Sequence, residues 1–198
     1  MDQVTIGSFR CFRDAQTARL TPLTLLVGEN STGKTSFMAM IRALWDVAFH
    51  NRVPDFKEDP YDLGSFDEIA HHRGARGGRA DEFHAGFTVN STPRRKKGAP
   101  PDDRAGSCRF SVTFRRRGTA PVPVVRRLAD EHASIEVRQD PEGAWLTFNT
   151  RGGSWKLRIP NFFSSRLDVD EPQTLDPFFF AANEFFRAPL DSEDPSAP

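Results

Sequence analysis

The sequence predicts a mixed fold that is α/β in its first part and α+β as a whole. One observation is the order of an apolar run, a glycine-rich turn and an amphipathic stretch between residues 23 and 50, which is the order of a strand, a loop and a helix. Another is a series of six short segments between residues 82 and 159, several of which alternate apolar with polar residues. Together they predict a strand–loop–helix core followed by an antiparallel β subdomain.

The core is predicted to lie in residues 1–90. Residues 4–9 and 18–20 have the composition of short strands, and residues 23–27, Leu-Thr-Leu-Leu-Val, are almost continuously apolar, as in a strand covered on both faces. From Lys34 onward, apolar side chains recur near helical spacing, which predicts a helix that ends around residues 50–51. The stretch up to residue 81 is predicted to be mostly loop with one short helix.

The later part of the chain is predicted to be a β meander. Alternation in several of its strands is typical of a sheet with one solvated face. We therefore divide the chain into the core (1–90), a flexible basic loop (91–107), the β subdomain (108–160) and an aromatic-rich C-terminal segment and tail (161–198). The six candidate strands are 82–89, 108–115, 122–128, 134–138, 144–149 and 155–159.

Composition limits the classes of function. The chain has 198 residues, enough for one sizeable domain, and its 27 basic and 27 acidic residues cancel. No global field therefore draws it to nucleic acid or to a membrane, and any such binding must come from local patches. Its two cysteines, too few for a disulfide framework, are interpreted as small core residues. Without a leader-like start or a long apolar run, we expect a cytoplasmic protein with no membrane contact.

Residues 28–35, Gly-Glu-Asn-Ser-Thr-Gly-Lys-Thr, have the complete pattern of a phosphate-binding loop. A strand that feeds such a turn and then a helix start directs successive backbone N–H groups at one place, where the helix dipole adds positive potential. A phosphate group is the expected occupant. The predicted nucleotide-binding residues of this loop are Gly28, Glu29, Asn30, Ser31, Thr32, Gly33, Lys34, Thr35 and Ser36.

Individual roles follow from the chemistry of a triphosphate. Gly33 lets the backbone approach an anion with no Cβ in the way. The Lys34 ammonium is expected on the β- and γ-phosphates, and the Thr35 hydroxyl is expected to bind Mg²⁺. Ser36 is a further candidate for contact with the α-phosphate. The predicted cofactors are therefore ATP and Mg²⁺.

Hydrolysis needs more than this loop. Phosphoryl transfer also uses a second carboxylate near Mg²⁺ and a group that orients water. In P-loop ATPases these groups commonly follow a run of four apolar residues that ends in Asp-Glu, and the sequence has no such Walker B run; the nearest stretches, 66–68 and 167–171, lack the apolar residues. We therefore assign no catalytic residue, and we expect ATP hydrolysis only when another lobe supplies these groups.

A family resemblance rests on residues 6–13, Ile-Gly-Ser-Phe-Arg-Cys-Phe-Arg, followed by Leu-Leu-Val-Gly-Glu-Asn at 25–30. This opening resembles that of the RecF/SMC/OLD-like ABC-type ATPases of the AAA family, found in bacterial DNA-repair and phage-defence systems. The resemblance implies the N-terminal lobe of a P-loop ATPase. It also implies that Asn30 contacts the γ-phosphate region and that Arg10 lies on the nucleotide side, although a solvent-facing arginine is the alternative.

The same resemblance implies partners. Members of the family close two such sites face to face on ATP, which implies a homodimer or higher oligomer here and a nuclease or effector partner. In family members the signature sequence and the acidic strand come much later in the chain, and neither is found here. A fragment, a truncated gene product and a protein completed by another chain are the three explanations that the sequence leaves open. The alternative is a nucleotide-sensing scaffold for a nuclease or toxin, with no turnover of its own.

Three other features leave alternatives open. His71 and His72, with His84, are interpreted as structural, because neighbours on a strand point to opposite faces. Seven of the 18 phenylalanines lie in 161–186 and belong either to a core or to apolar area that an absent lobe would cover. Nucleic-acid contact and ordinary solvated faces are both compatible with the basic clusters at 73–79, 94–97, 115–117 and 126–127.

Overall fold

The computed structural model describes residues 1–30, 32–50, 52–74, 78–90, 106–140 and 143–160. Those residues form two helices and eight strands. The helices are α1 (Lys34–Phe49) and α2 (Phe66–Ile69). The strands are β1 (Gln3–Gly7), β2 (Gln16–Arg19), β3 (Glu82–Asn90), β4 (Ser107–Arg117), β5 (Ala120–Ala129), β6 (Ala133–Asp140), β7 (Gly143–Thr150) and β8 (Gly153–Pro160).

All eight strands belong to one sheet, in the order β2-β1-β3-β4-β5-β6-β7-β8. Every pairing is antiparallel, and from β3 onward each strand pairs with the next one in the chain. One irregularity in register, at Thr113/Phe114, interrupts the pairing of β4 with β5. The sheet is therefore a meander to which β1 and β2 are added at the edge next to β3.

Helix α1 packs on one face of this sheet. Its buried side chains include Phe37, Met40, Leu44 and Val47, whose spacing of three or four residues places them on one side of a helix. At its end Phe49 stacks on a phenylalanine of β3, with the ring centroids 5.7 Å apart. This packing fixes α1, and with α1 it fixes the loop that precedes the helix.

A cluster of phenylalanines completes the core beneath α1. The rings of Phe83 on β3 and Phe114 on β4 stack with centroids 5.0 Å apart. Phe56 meets both of them edge to face, and Phe9 and Phe66 pack on Phe83. Because Phe9 belongs to a connecting segment and Phe66 is the first residue of α2, the cluster ties that segment and α2 to the sheet.

The secondary structure confirms most of the predicted elements. All six meander strands are present, the predicted helix is α1, and the short helix expected before residue 81 is α2. A capping box starts α2: the Ser65 side chain and the Glu68 side chain each bond to the other residue's backbone N–H. These elements were predictable because their signals are local in sequence.

The strand predicted at residues 23–27 is wrong. The segment has no strand partner, and its Leu25 and Val27 side chains are 76% and 89% exposed. A strand requires a neighbour for its backbone N–H and C=O groups, and no described strand lies beside this segment. All described strand pairs are antiparallel, which agrees with the predicted α+β class. The α/β class predicted for the first part of the chain would require parallel pairs, and the described strands form none.

The two cysteines differ in their environments. Interpretation as a core residue is wrong for Cys11, whose side chain is exposed. Cys108 is half-buried, and burial together with the nearby Asp130 carboxylate raises the pKa of its thiol to about 11. Cys108 is therefore the less reactive of the two thiols at neutral pH.

Two of the predicted segments lie largely or wholly outside the described residues. They are most of the basic loop, at 91–105, and the aromatic-rich C-terminal segment and tail, at 161–198. The boundary between the core and the β subdomain stays a prediction, although β3 and β4 pair along their whole length and carry one sheet across it. In the part of the chain that the structure describes, no helix has the length and apolar character required to cross a membrane.

Candidate nucleotide-binding site

The loop at the start of α1 has the local geometry of an anion site. Gly33 is the N-cap residue and has φ 94°, a left-handed value that glycine adopts without strain. No side chain of the described residues caps this end, and the first turn of α1 contains no acidic residue. The first backbone N–H groups of a helix lack partners within the helix, so here they point outward at the positive end of the helix dipole.

Gly33 is closely packed by a neighbouring turn. An added Cβ would lie 2.5 Å from Cys11 Sγ and 3.4 Å from the Phe12 ring. The turn from Phe9 to Phe12 is closed by two backbone hydrogen bonds between these end residues. It therefore forms a wall against the loop that only a glycine at this position can accommodate.

The Lys34 side chain lies across the loop. Its Nζ donates hydrogen bonds of 2.7 Å to the Gly28 carbonyl and 2.6 Å to the Glu29 carbonyl. The Thr32 hydroxyl donates to the same Glu29 carbonyl at 2.9 Å. The loop is thus closed on itself by two side chains, one of which brings a positive charge to the place where the amides of α1 begin.

A cavity of about 490 Å³ opens at this point. That volume lies within the range of roughly 300–1,000 Å³ that small-molecule sites occupy. Its lining includes no carboxylate among the described residues. The lining residues are Arg10, Cys11, Asn30, Gly33, Lys34, Thr35 and Ser36.

Arg10 forms part of the cavity wall but is already engaged. Its Nη2 donates a hydrogen bond of 2.9 Å to the Leu63 carbonyl, and its backbone N–H bonds to the Ile69 carbonyl. Its Nε is buried without a hydrogen-bond partner among the described residues. The backbone has φ 46°, a left-handed value that is uncommon outside glycine. The predicted contact with a nucleotide stays a prediction, and it would use the donors that Leu63 leaves available.

One histidine contact and one carboxylate contact stabilise residues 65–71, the segment that accepts the Arg10 backbone N–H bond. His71 Nδ1 lies 2.6 Å from the Arg10 carbonyl oxygen. Hydrogen bonds from the Ser65 backbone N–H, and secondly from its hydroxyl, lower the pKa of the Glu68 carboxyl. Within the described ranges, no group of three or more histidine, cysteine or acidic side chains is placed to hold a metal ion.

The structure brings most of the predicted site residues together, but not all through their side chains. Gly28 and Glu29 contribute carbonyl oxygens to Lys34, and Asn30 and Thr35 line the cavity. Ser36 also lines it, although it is only 4% exposed. Ser31 lies outside the described residues.

Sequence reasoning missed Cys11 and Phe12 as neighbours of Gly33. The two segments are more than twenty positions apart in the chain, and no local pattern signals their contact. The packing of Phe9 in the core and the hydrogen bonds of Arg10 place the turn there.

Comparison with protein families connects this geometry with a known group. Residues 1–76 match the model of the AAA ATPase domain. The match includes the loop, α1 and the 9–12 turn, and it supports an AAA-family ATPase that binds nucleotide. No curated protein and no solved structure matches the chain. All residues that line the cavity at the start of α1 lie within the matched range.

Proposed function

We propose that this chain binds Mg-ATP through residues 28–36 and is the nucleotide-binding part of an ATPase. The observation that carries the proposal is the uncapped start of α1, where the Gly33 backbone and the Lys34 ammonium adjoin one cavity. Backbone amides, a helix dipole and a lysine are the groups that bind a triphosphate in such loops. The match with the AAA ATPase domain supports the same assignment.

Binding would exchange one set of contacts for another. Lys34 would leave the Gly28 and Glu29 carbonyls and pair with phosphate oxygens, which are stronger acceptors for an ammonium because they are charged. The exposed Thr35 hydroxyl is the group that would hold Mg²⁺. When bound, Mg²⁺ neutralises charge on the β- and γ-phosphates.

We propose further that the chain acts as one lobe of a larger ATPase. Leu25 and Val27 are exposed apolar side chains in a segment that pairs with no described strand, and a sheet supplied from elsewhere would cover them. The described lining of the cavity also lacks the carboxylate that hydrolysis uses. Hydrolysis is therefore proposed only for the completed assembly.

The sequence resemblance to RecF/SMC/OLD-like ATPases suggests which subunits and partners this larger ATPase would contain. On that basis we propose a homodimer or higher oligomer that closes on ATP and couples to a nuclease or effector partner. Its use would be in DNA processing, DNA repair or anti-phage defence.

A second candidate function is a nucleotide-sensing scaffold that binds ATP without turnover. The absence of a carboxylate in the described lining favours it for the chain alone. ATP turnover, measured with and without a chain that supplies the acidic strand, separates the two. A rise in turnover on mixing supports the ATPase, and ATP binding without turnover in either case supports the scaffold.

The Mg-ATP assignment is tested by isothermal titration calorimetry of the purified chain with ATP, with and without Mg²⁺. We expect tighter binding in Mg²⁺, and we expect Thr35→Val to lose that increment. Thr17→Val, an exposed threonine on β2, is the matched control and should retain it. An Mg²⁺ increment unchanged in Thr35→Val would contradict the metal assignment.

A further inference from the structure

The face of the sheet opposite α1 is strongly basic. Buried Val4, Phe83, Phe110 and Val112 show which face α1 covers, and side chains alternate along a strand, so their neighbours in sequence point to the other face. We call this other face the outer face. Two acidic side chains, Glu82 and Glu136, are described on it. Eight exposed basic side chains lie on the same face: Arg19, Arg109, Arg115, Arg117, Arg127, Arg138, Lys156 and Arg158.

This separation is not visible in the composition, because the whole chain carries no formal net charge. It arises from strand alternation, which divides the basic clusters of the sequence between two environments. In the 115–117 cluster, Arg116 turns to the core side, where it pairs with Asp67 and lies over the Phe66 ring. In the 126–127 cluster, Arg126 is 9% exposed and Arg127 lies on the outer face.

Two ion pairs of the described residues join outer-face side chains: one forms between β3 and β4 and one lies within β6. Arg115 pairs with Glu82 at 2.8 Å, and Arg138 pairs with Glu136 at 3.2 Å. Arg109 and Arg127 make no ion pair within the described part of the chain. The sheet thus places several exposed positive charges on one face, and their summed potential attracts an anionic partner.

The spacing of these charges suits a partner with repeating negative charge. Lys156, Arg127 and Arg109 lie on β8, β5 and β4, and at about 4.8 Å between strands the span from β4 to β8 is roughly 19 Å. A nucleic-acid duplex presents one charge per about 1.7 Å of its axis, so several phosphates would face this span at once. Hydroxyl groups lie between the charges, at Ser111 and Thr147, and hydroxyls also bind phosphate oxygens.

The aromatic content of the face argues against base stacking. Among the described residues, Trp145 is the tryptophan whose side chain lies on the outer face. Lys156 Nζ lies 4.3 Å and the Arg158 guanidinium 5.7 Å from its ring centroid, so both cations cover the ring. Proteins that bind single strands offer exposed aromatic rings on which bases stack. Contact with phosphates alone gives affinity that does not depend on base sequence.

We propose that the outer face binds the phosphate backbone of double-stranded nucleic acid without reading its sequence. This inference deepens the DNA-processing role and rests on that part of the proposed function. It does not depend on the nucleotide site, because the outer face lies on the opposite side of the sheet from α1.

The test is fluorescence anisotropy of a labelled duplex mixed with the full chain over a series of salt concentrations. We expect log K to fall linearly with log salt. Arg127→Glu with Lys156→Glu should weaken binding at least tenfold and make the slope shallower by about two, since each lost phosphate contact removes about 0.9. Arg52→Glu with Lys57→Glu has the same change of charge away from the outer face and should bind like the wild type.

Several results would overturn the proposal. One is unchanged duplex binding by the Arg127/Lys156 variant, which would assign binding to other basic residues such as those at 94–97. Others are an equal loss in the control variant, or equal binding of phosphatidylserine vesicles or polyglutamate, which would indicate a membrane or an acidic protein instead. If the glutamate variant does not fold, Arg127→Gln with Lys156→Gln is used with the same expectations. ATP affinity, measured in each variant, should be unchanged, so failure here is distinct from failure of the nucleotide site.

Discussion

The Lys34 ammonium donates a hydrogen bond of 2.6 Å to the Glu29 carbonyl oxygen across the phosphate-binding loop. This bond places the positive charge beside the start of α1. In the proposed complex, phosphate oxygens would replace the carbonyl oxygens as acceptors for the ammonium, because they are charged and therefore stronger acceptors.

Gly33→Ala should weaken ATP binding. Alanine at φ 94° costs about 1–2 kcal/mol, and its Cβ would meet Cys11 Sγ at 2.5 Å. Gly118→Ala is the matched control, because Gly118 also has a positive φ, of 62°, but an added Cβ there meets no atom within 4 Å. Calorimetric titration of both variants with ATP should show a loss in Gly33→Ala alone, of about tenfold or more. Equal ATP affinity in the two variants would contradict the packing of the 9–12 turn against the loop.

The two cysteines should differ in reactivity, and ATP should change only one of them. At pH 8 a thiol of pKa about 11 is roughly one part in a thousand thiolate, so Cys108 should resist iodoacetamide, whereas the exposed Cys11 should react. Mass spectrometry of labelled peptides measures both rates. Saturating Mg-ATP should slow labelling of Cys11, since this thiol lines the cavity. Faster labelling of Cys108 than of Cys11, or no protection by ATP, would be inconsistent with the described site.

The phenylalanine cluster should carry much of the stability. Phe83 is fully buried and contacts rings from β4, from the 9–12 turn and from α2, so Phe83→Ala should lower the free energy of unfolding by about 3–5 kcal/mol. Trp155→Ala should lower it by less, about 0.5–1.5 kcal/mol, because Trp155 is 58% exposed and its described aromatic contact is with the Phe148 ring. Urea denaturation followed by circular dichroism measures both. Similar losses in the two variants would show that Trp155 is covered.

The capping box of α2 should make stability depend on pH. The pKa of Glu68 is lowered in the folded chain, chiefly by the Ser65 backbone N–H, so its ionised form stabilises the fold. That contribution is fully present above the ordinary value of 4.5 and is lost as the pH falls through the lower folded pKa. The difference in unfolding free energy between the wild type and Glu68→Gln should therefore shrink between about pH 5.5 and pH 3. A difference that stays constant over this pH range would contradict this role of Glu68.

Local patterns in the sequence were sufficient to predict the meander and α1. In β3, the alternation of Phe83, Ala85 and Phe87 with polar or small residues marks the buried face directly. In α1, the spacing of Met40 and Leu44 does the same for a helix. The candidate loop at 28–35 was recognisable in the sequence because its pattern is contiguous and requires particular residue types, and its binding of phosphate stays a prediction.

Contacts that depend on distant parts of the chain were not predictable. The apolar composition around Leu25 and Val27 predicted a strand, but these side chains are exposed. Composition alone does not show whether a neighbouring strand is present to pair with the segment. The contact between Cys11 and Gly33 depends on how a distant turn packs. The division of the arginine clusters between two faces depends on register, which a one-residue slip would reverse.

The most direct test of the nucleotide site is the ATP affinity of Lys34→Ala, measured by isothermal titration calorimetry beside Lys57→Ala as a control for loss of one exposed lysine. Circular dichroism of both variants checks that the fold is retained. The structure predicts that Lys34→Ala loses more than tenfold in affinity while Lys57→Ala binds like the wild type. Wild-type affinity in Lys34→Ala would contradict a triphosphate site at the start of α1.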